Sequence, residues 1–203
     1  SPVANALFYR VWISIDGGPI RNLREVKGPA IYFVCSLAYD PSSKTLFYTT
    51  DNDAWRDVRS LDVRTGKSRL LLKDARIGDL VFNKKDRSLW GVRHFNGIST
   101  LVRVPYPYKD WDQVHSWPFG QDIYDIDISA DGEKLCASLA EVSGRQTLRL
   151  WNTESLAKGD TTSTTLYDFG ASIPTSFVFS PDDRYLYGSS YYTGVSNIFR
   201  WDF

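Results

Sequence analysis

Three carboxylates crowd one short stretch of this chain: Asp122, Asp125 and Asp127. Alternation along a strand would set their side chains on one face. Paired carboxylates on one face can exchange protons with a substrate. The competing reading is that a polar strand facing a central channel holds water and does no chemistry. The sequence favours that second reading, because the other parts of a reaction centre do not accompany the three. No Gly-x-Ser-x-Gly elbow marks a nucleophile. The two histidines, His94 and His115, belong to no His-x-x-x-His or Cys-x-x-Cys spacing, so no metal site is expected. The run Asp127-Ile128-Ser129-Ala130-Asp131-Gly132 imitates the opening of a calcium loop, but Ser138 stands where the bidentate Glu is required. Gly17-Gly18 precedes a strand rather than a helix, which argues against a phosphate cradle. The chain reads as non-enzymatic, with no cofactor and no metal.

What must position these residues is a repeat. The phrase Leu37-Ala38-Tyr39-Asp40-Pro41-Ser42-Ser43-Lys44-Thr45-Leu46-Phe47 returns from Leu80 to Trp90, from Ile126 to Cys136 and from Phe177 to Tyr187. Aligned on Asp40, Asn83, Ser129 and Ser180, the steps are 43, 46 and 51 residues. A period of about 40 to 50 residues marks a propeller or a similar array. Each phrase reads as strand, polar turn, strand. A second hairpin follows, with alternating strands such as Val58–Val63 and Thr147–Trp151. The unit is a four-stranded antiparallel blade, strands A to D. No convincing helix is present; Glu154–Lys158 is long enough for one turn only. The expected fold is an all-β propeller of about four to five four-stranded blades. The blade parts are 1–27 (strands C and D), 31–74, 77–118, 122–170 and 174–203 (strands A to C). The fourth strand of the last part is expected either from Arg21–Val26, closing a small ring, or from outside the chain, which is then a piece of a larger propeller. The lack of any Met points the same way.

Bulk properties narrow the function classes. Of 203 residues, 42% are hydrophobic and 24% charged, so a packed core is expected rather than disorder. Lys plus Arg equals Asp plus Glu at 24 each, which disfavours nucleic-acid binding. No apolar run is long enough to span a membrane as a helix, and no signal peptide is visible. Cys35 and Cys136 fall two blades apart, too far for a disulfide, and read as buried free thiols.

Loops carry the remaining signal. In a propeller the B-to-C loops and the D-to-A loops share one face. Here they supply Trp55, Arg93, His94, Phe95, Trp117, Tyr124, Tyr191 and Tyr192. Trp, Tyr and Arg dominate interface hot spots. These eight are the candidate binding residues, and a protein or peptide is the expected partner.

Phe179-Ser180-Pro181-Asp182-Asp183-Arg184-Tyr185-Leu186 and its siblings resemble the TolB-like, WD-repeat-related β-propeller family. That family carries an apolar–Ser-Pro-Asp-Gly–basic–apolar hairpin, followed by a strand ending in Asp and a Gly turn. Ile15-Asp16-Gly17-Gly18 and Leu61-Asp62-Val63-Arg64-Thr65-Gly66-Lys67 match the second element. Trp151-Asn152 and Trp201-Asp202 are similar to the Trp-Asp ending of true WD repeats, whose Gly-His pair is absent. The resemblance implies an interaction platform in a bacterial periplasm or cell envelope, one domain of a larger parent protein. It also implies an alternative, the gating domain of a peptidase whose catalytic domain lies elsewhere.

Overall fold

The structure is a computed structural model. It describes the backbone of residues 6–12, 21–28, 36–51 and 55–203, and the side chains of 36–51 and 55–203. Cys35, the turn at 15–18 and residues 52–54 of the first B-to-C loop lie outside the described residues. Two compact units divide the chain, residues 1–76 and 77–203.

In the first unit, β1 (Ala6–Trp12) and β2 (Arg21–Gly28) pair antiparallel as a two-stranded sheet. The strands β3 (Leu37–Asp40), β4 (Thr45–Asp51), β5 (Arg56–Asp62) and β6 (Ser68–Leu72) form a four-stranded meander. The first turn holds itself: the Asp40 carboxylate accepts from Ser42 N at 2.9 Å and Ser43 Oγ at 2.7 Å. Phe47, Val58 and Leu61 are buried.

The second unit repeats this meander. Its first sheet is β7 (Ile77–Asn83), β8 (Ser88–Phe95), β9 (Ile98–Val104) and β10 (Asp112–Ser116). Its second sheet is β11 (Asp122–Ile128), β12 (Lys134–Ala140), β13 (Gln146–Asn152) and, after the helix α1 (Thr153–Ala157), β14 (Thr164–Asp168). The last sheet has three strands, β15 (Pro174–Phe179), β16 (Tyr185–Ser190) and β17 (Asn197–Asp202). The fold is the all-β propeller that the repeat predicts. Helix α1 is the exception to the strand reading. Asn152 caps it by accepting from Ser155 N at 2.9 Å, and Leu156 is buried beneath it.

Apolar seams join the sheets of this unit. Trp90, Val92 and Leu101 meet Ile123, Leu135, Leu139 and Trp151 in the first seam. Cys136, Leu148 and Phe169 meet Phe177 and Leu186 in the second. The inner strands β7, β11 and β15 lie side by side, and each breaks register with its neighbour at one residue of positive φ. Those residues are Asp79 (φ 47°), Asp125 (φ 51°) and Ser176 (φ 55°). Their spacings, 46 and 51, are the repeat steps themselves. Asp122 and Asp125 stand three residues apart, so alternation sets them on opposite faces, and Asp125 itself lies in the break; the three carboxylates do not form one regular face. The breaks of β11 and β15 are each clasped by the sheet before them. Asp125 N donates to Asp79 Oδ2 at 3.1 Å, and Ser176 N donates to Asp125 Oδ2 at 2.9 Å. Phe179 N donates to Asp127 Oδ2 at 2.8 Å.

The A-to-B turns interlock in the same way. Asn83 Nδ2 donates to Gly132 O at 3.0 Å, and Asp183 accepts from Ala130 N at 2.6 Å and Asp131 N at 2.9 Å. Gly132 has φ +77°, and a Cβ there would meet Asn83 Oδ1 and lie 2.7 Å from Lys85 Cβ. Gly132→Ala is expected to cost about 1–3 kcal/mol, from left-handed strain plus the collision. Urea unfolding checks this: the midpoint falls, and an unchanged midpoint would contradict the interlock.

Candidate functional site

The loops joining β8 to β9, β10 to β11, β12 to β13, β14 to β15 and β16 to β17 emerge at one end of the second unit's sheets. Asn96-Gly97 closes the first with both residues at positive φ, 50° and 73°, a turn that suits the twist of a hairpin. Glycine at 97 also makes room: a Cβ there would lie 2.6 Å from Phe119 Cε2. Phe119, seated on Gly97, is 77% exposed. One step further, Val142 lies over Gly120 and is 73% exposed. Tyr191, in the last loop, is 67% exposed. The loops thus present apolar side chains to solvent while the strands below stay packed.

Several predicted residues share this face. The Arg93 guanidinium sits 4.8 Å from the centroid of the exposed Phe95 ring. His94 Nδ1 lies 3.8 Å from Asp122 Oδ1, both about half exposed, so their attraction is weak. Tyr192 packs edge-on to Tyr167 at 5.5 Å and Phe169 at 5.9 Å, which fixes it beside Tyr191. Trp55 stands in the first unit, nearly half exposed, with the Arg76 guanidinium 3.0 Å from its ring centroid.

Two predicted residues turn inward. Trp117 is buried, edge-on to His115 at 4.6 Å and to Trp151 at 6.2 Å. It is a core residue of the first seam, because a ring beside a loop gains more from that seam than from water. Tyr124 is partly buried, and its hydroxyl donates to Gln146 Oε1 at 2.8 Å. Burial pushes its pKa up to about 12, so it serves as a neutral donor.

Sequence reasoning missed Val142, and it missed a polar groove of about 500 Å³ beside it. Glu141, Arg145, Thr147, Arg149 and Thr165 line it. Gln121 Nε2 donates to Glu141 Oε2 at 2.6 Å, and Arg149 Nε to Thr147 Oγ1 at 3.1 Å. Arg145 is paired with Asp168. The groove is assembled from several strands and loops, so no local motif announces it. Among the described residues, no three His, Cys, Asp or Glu side chains converge as metal ligands.

Asp127 is the most perturbed carboxyl. Burial against β15 raises its pKa to about 6; Asp183 adds to the rise, and Lys84 and the Phe179 N–H oppose it. Its place in the clasp makes it a structural acid. A raised carboxyl holds its proton longer in the folded state, so its contribution to stability falls as pH rises from about 4 to about 6. Asp127→Asn keeps an acceptor for Phe179 N and removes the titration. Relative to the parent, the variant is expected to gain little at pH 4 and up to about 3 kcal/mol above pH 6. Denaturant unfolding at the two pH values measures this; a pH-independent difference would contradict it.

No family model matches the chain, and no curated protein matches it. Solved structures do. TolB from Acinetobacter baumannii has a TM-score of 0.75 at 14% identity, covering 95% of this chain and 45% of that one. A putative TolB from Agrobacterium tumefaciens gives 0.61 at 15% identity, covering 92% of this chain and 63% of that one. A prolyl endopeptidase structure gives 0.62 at 11% identity, covering 98% of this chain and 31% of that one. Identities this low carry the fold, which is that of the TolB-like β-propellers. This chain spans only part of each of these proteins.

Proposed function

We propose that this chain is a non-catalytic propeller module that binds a protein or peptide on its loop face. The observation that carries the reading is the set of exposed apolar side chains there: Phe95, Phe119, Val142 and Tyr191. Loops on a rigid strand scaffold are where propellers and similar folds place recognition. The best candidate carboxylates for chemistry, Asp125 and Asp127, are engaged by backbone N–H groups. That engagement supports binding over catalysis. Likeness to TolB supports a role as one domain of a bacterial cell-envelope protein, in the periplasm. Among the described residues no helix is long and apolar enough to cross a membrane.

A second reading has its own support. The prolyl endopeptidase likeness covers nearly the whole chain, which favours a gating propeller joined to a peptidase domain. A parent reading frame without a hydrolase domain rules that reading out.

Affinity capture followed by titration with each captured partner tests the loop face. Phe119→Ala and Tyr191→Ala are each expected to weaken binding about tenfold or more, as truncated aromatic anchors do. Affinities equal to the parent's in both variants would place the binding surface elsewhere.

A further inference from the structure

The polar groove of about 500 Å³ opens beside the loop that joins β12 to β13. Small-molecule sites span about 300–1,000 Å³, so the volume suits one. One face of β13 supplies its floor. Thr147, Arg149 and Trp151 alternate along that face: Trp151 packs into the first seam, while Thr147 and Arg149 line the groove. The register of β13 with β12 is unbroken over all seven of its residues, so the floor is regular.

Three planar polar side chains are held there in one network. Gln121 Nε2 donates to Glu141 Oε2 at 2.6 Å. One terminal nitrogen of Arg149 donates to Glu141 Oε1 at 3.4 Å, and the other to Ser163 Oγ at 3.4 Å. Its Nε donates to Oγ1 of the buried Thr147 at 3.1 Å. These bonds fix the three groups without exhausting them. A carboxylate accepts several hydrogen bonds, a guanidinium donates several, and an amide does both. The two contacts of the Arg149 terminal nitrogens are longer than a usual hydrogen bond, so a better-placed acceptor improves on them.

Charge narrows the ligand. Arg149 pairs with Glu141, and Arg145 Nε donates to Asp168 Oδ2 at 2.7 Å. Each cation at the groove is matched by an anion, so neither an anion nor a cation gains a net attraction there. An apolar ligand would strip water from these groups and return no hydrogen bonds. A neutral ligand carrying donors and acceptors together meets both constraints. Vicinal hydroxyls do this. Each hydroxyl is donor and acceptor, and a pair of them spans the two oxygens of a carboxylate, two nitrogens of a guanidinium, or the oxygen and nitrogen of an amide. The C–H face of a pyranose ring is apolar, and the exposed Val142 gives the groove an apolar wall for it.

We propose that this groove binds a neutral pyranose sugar, with Gln121, Glu141 and Arg149 hydrogen-bonded to its vicinal hydroxyls and Val142 against the C–H face of its ring. The sugar is a separate ligand from the protein or peptide of the loop face, and neither reading requires the other.

Saturation-transfer NMR and calorimetric titration of the 203-residue chain test this. The probes are glucose, galactose, mannose and N-acetylglucosamine, each as the free sugar and as the methyl glycoside, which stands for the end of a glycan chain. Transfer to at least one probe is expected, with a Kd on the order of 1 mM, as suits a small ligand making few contacts in an open site. Glu141→Ala and Arg149→Ala are each expected to raise that Kd about tenfold or more, because each leaves sugar hydroxyls without their partner. Glucuronate, the acid of glucose, is expected to bind no better than glucose. Melting temperatures separate loss of the site from loss of fold; should either variant melt early, Gln121→Ala carries the comparison. No transfer to any probe at about 50 mM, well above that Kd, would overturn the proposal. So would binding that the substitutions leave unchanged, or glucuronate binding about tenfold tighter than glucose. The titration contains no protein partner, so its failure and a failed affinity capture are read separately.

Discussion

The second unit depends on satisfying the peptide groups that its inner strands expose. Each inner strand breaks register once, at a residue of positive φ, and at the breaks of β11 and β15 the N–H bonds outside its own sheet. The Asp125 N–H is partly buried and the Ser176 N–H more open, so each bond adds about 0.5–1.5 kcal/mol rather than the full cost of an orphaned buried donor. The partner comes from the preceding sheet, from Asp79 to Asp125 and from Asp125 to Ser176. Burial of the apolar seams has no direction and would tolerate sliding. The carboxylates do have direction, and they set which residue of one sheet stands beside which residue of the next. They accept a penalty for it, since burial raises the pKa of both Asp79 and Asp127.

The proposed binding role follows from that rigidity by position. The clasp occupies the acidic inner strands, where Asp125 and Asp127 each accept a backbone N–H of the next sheet. The far loops are left to present side chains. Gly97 and Gly120 hold Phe119 and Val142 outward because neither has a Cβ to fill the space. Trp117, two residues before Phe119, turns into the seam instead. The division between core and surface therefore runs between neighbouring residues of one loop.

The strand order and turns were legible because their signals are local: alternation, turn residues and a repeat step. The three strands of the last sheet were legible for the same reason. The register breaks were not. Positive φ at Asp79 and Asp125 falls on residues other than Gly, and tertiary hydrogen bonds rather than local preference hold it there. Reading Asp122, Asp125 and Asp127 as one face failed on spacing as well, since residues three apart point to opposite faces of a regular strand. Trp117 was misplaced because an aromatic at a loop edge packs inward or outward according to its neighbours across the seam. Helix α1 is short, and its clearest sign was Asn152 with Thr153 and Glu154 behind it. The polar groove left no local trace, because strands and loops distant in sequence bring its lining together.

Replacing Asp125 with glycine separates the clasp from backbone strain. Glycine suits positive φ, so relief of strain alone predicts a variant at least as stable as the parent. If the carboxylate bridging to Ser176 N holds the inner strands, Asp125→Gly loses about 1–3 kcal/mol in denaturant unfolding at neutral pH, while Asp122→Ala stays within about 0.5 kcal/mol of the parent. An Asp125→Gly protein as stable as the parent would contradict the account.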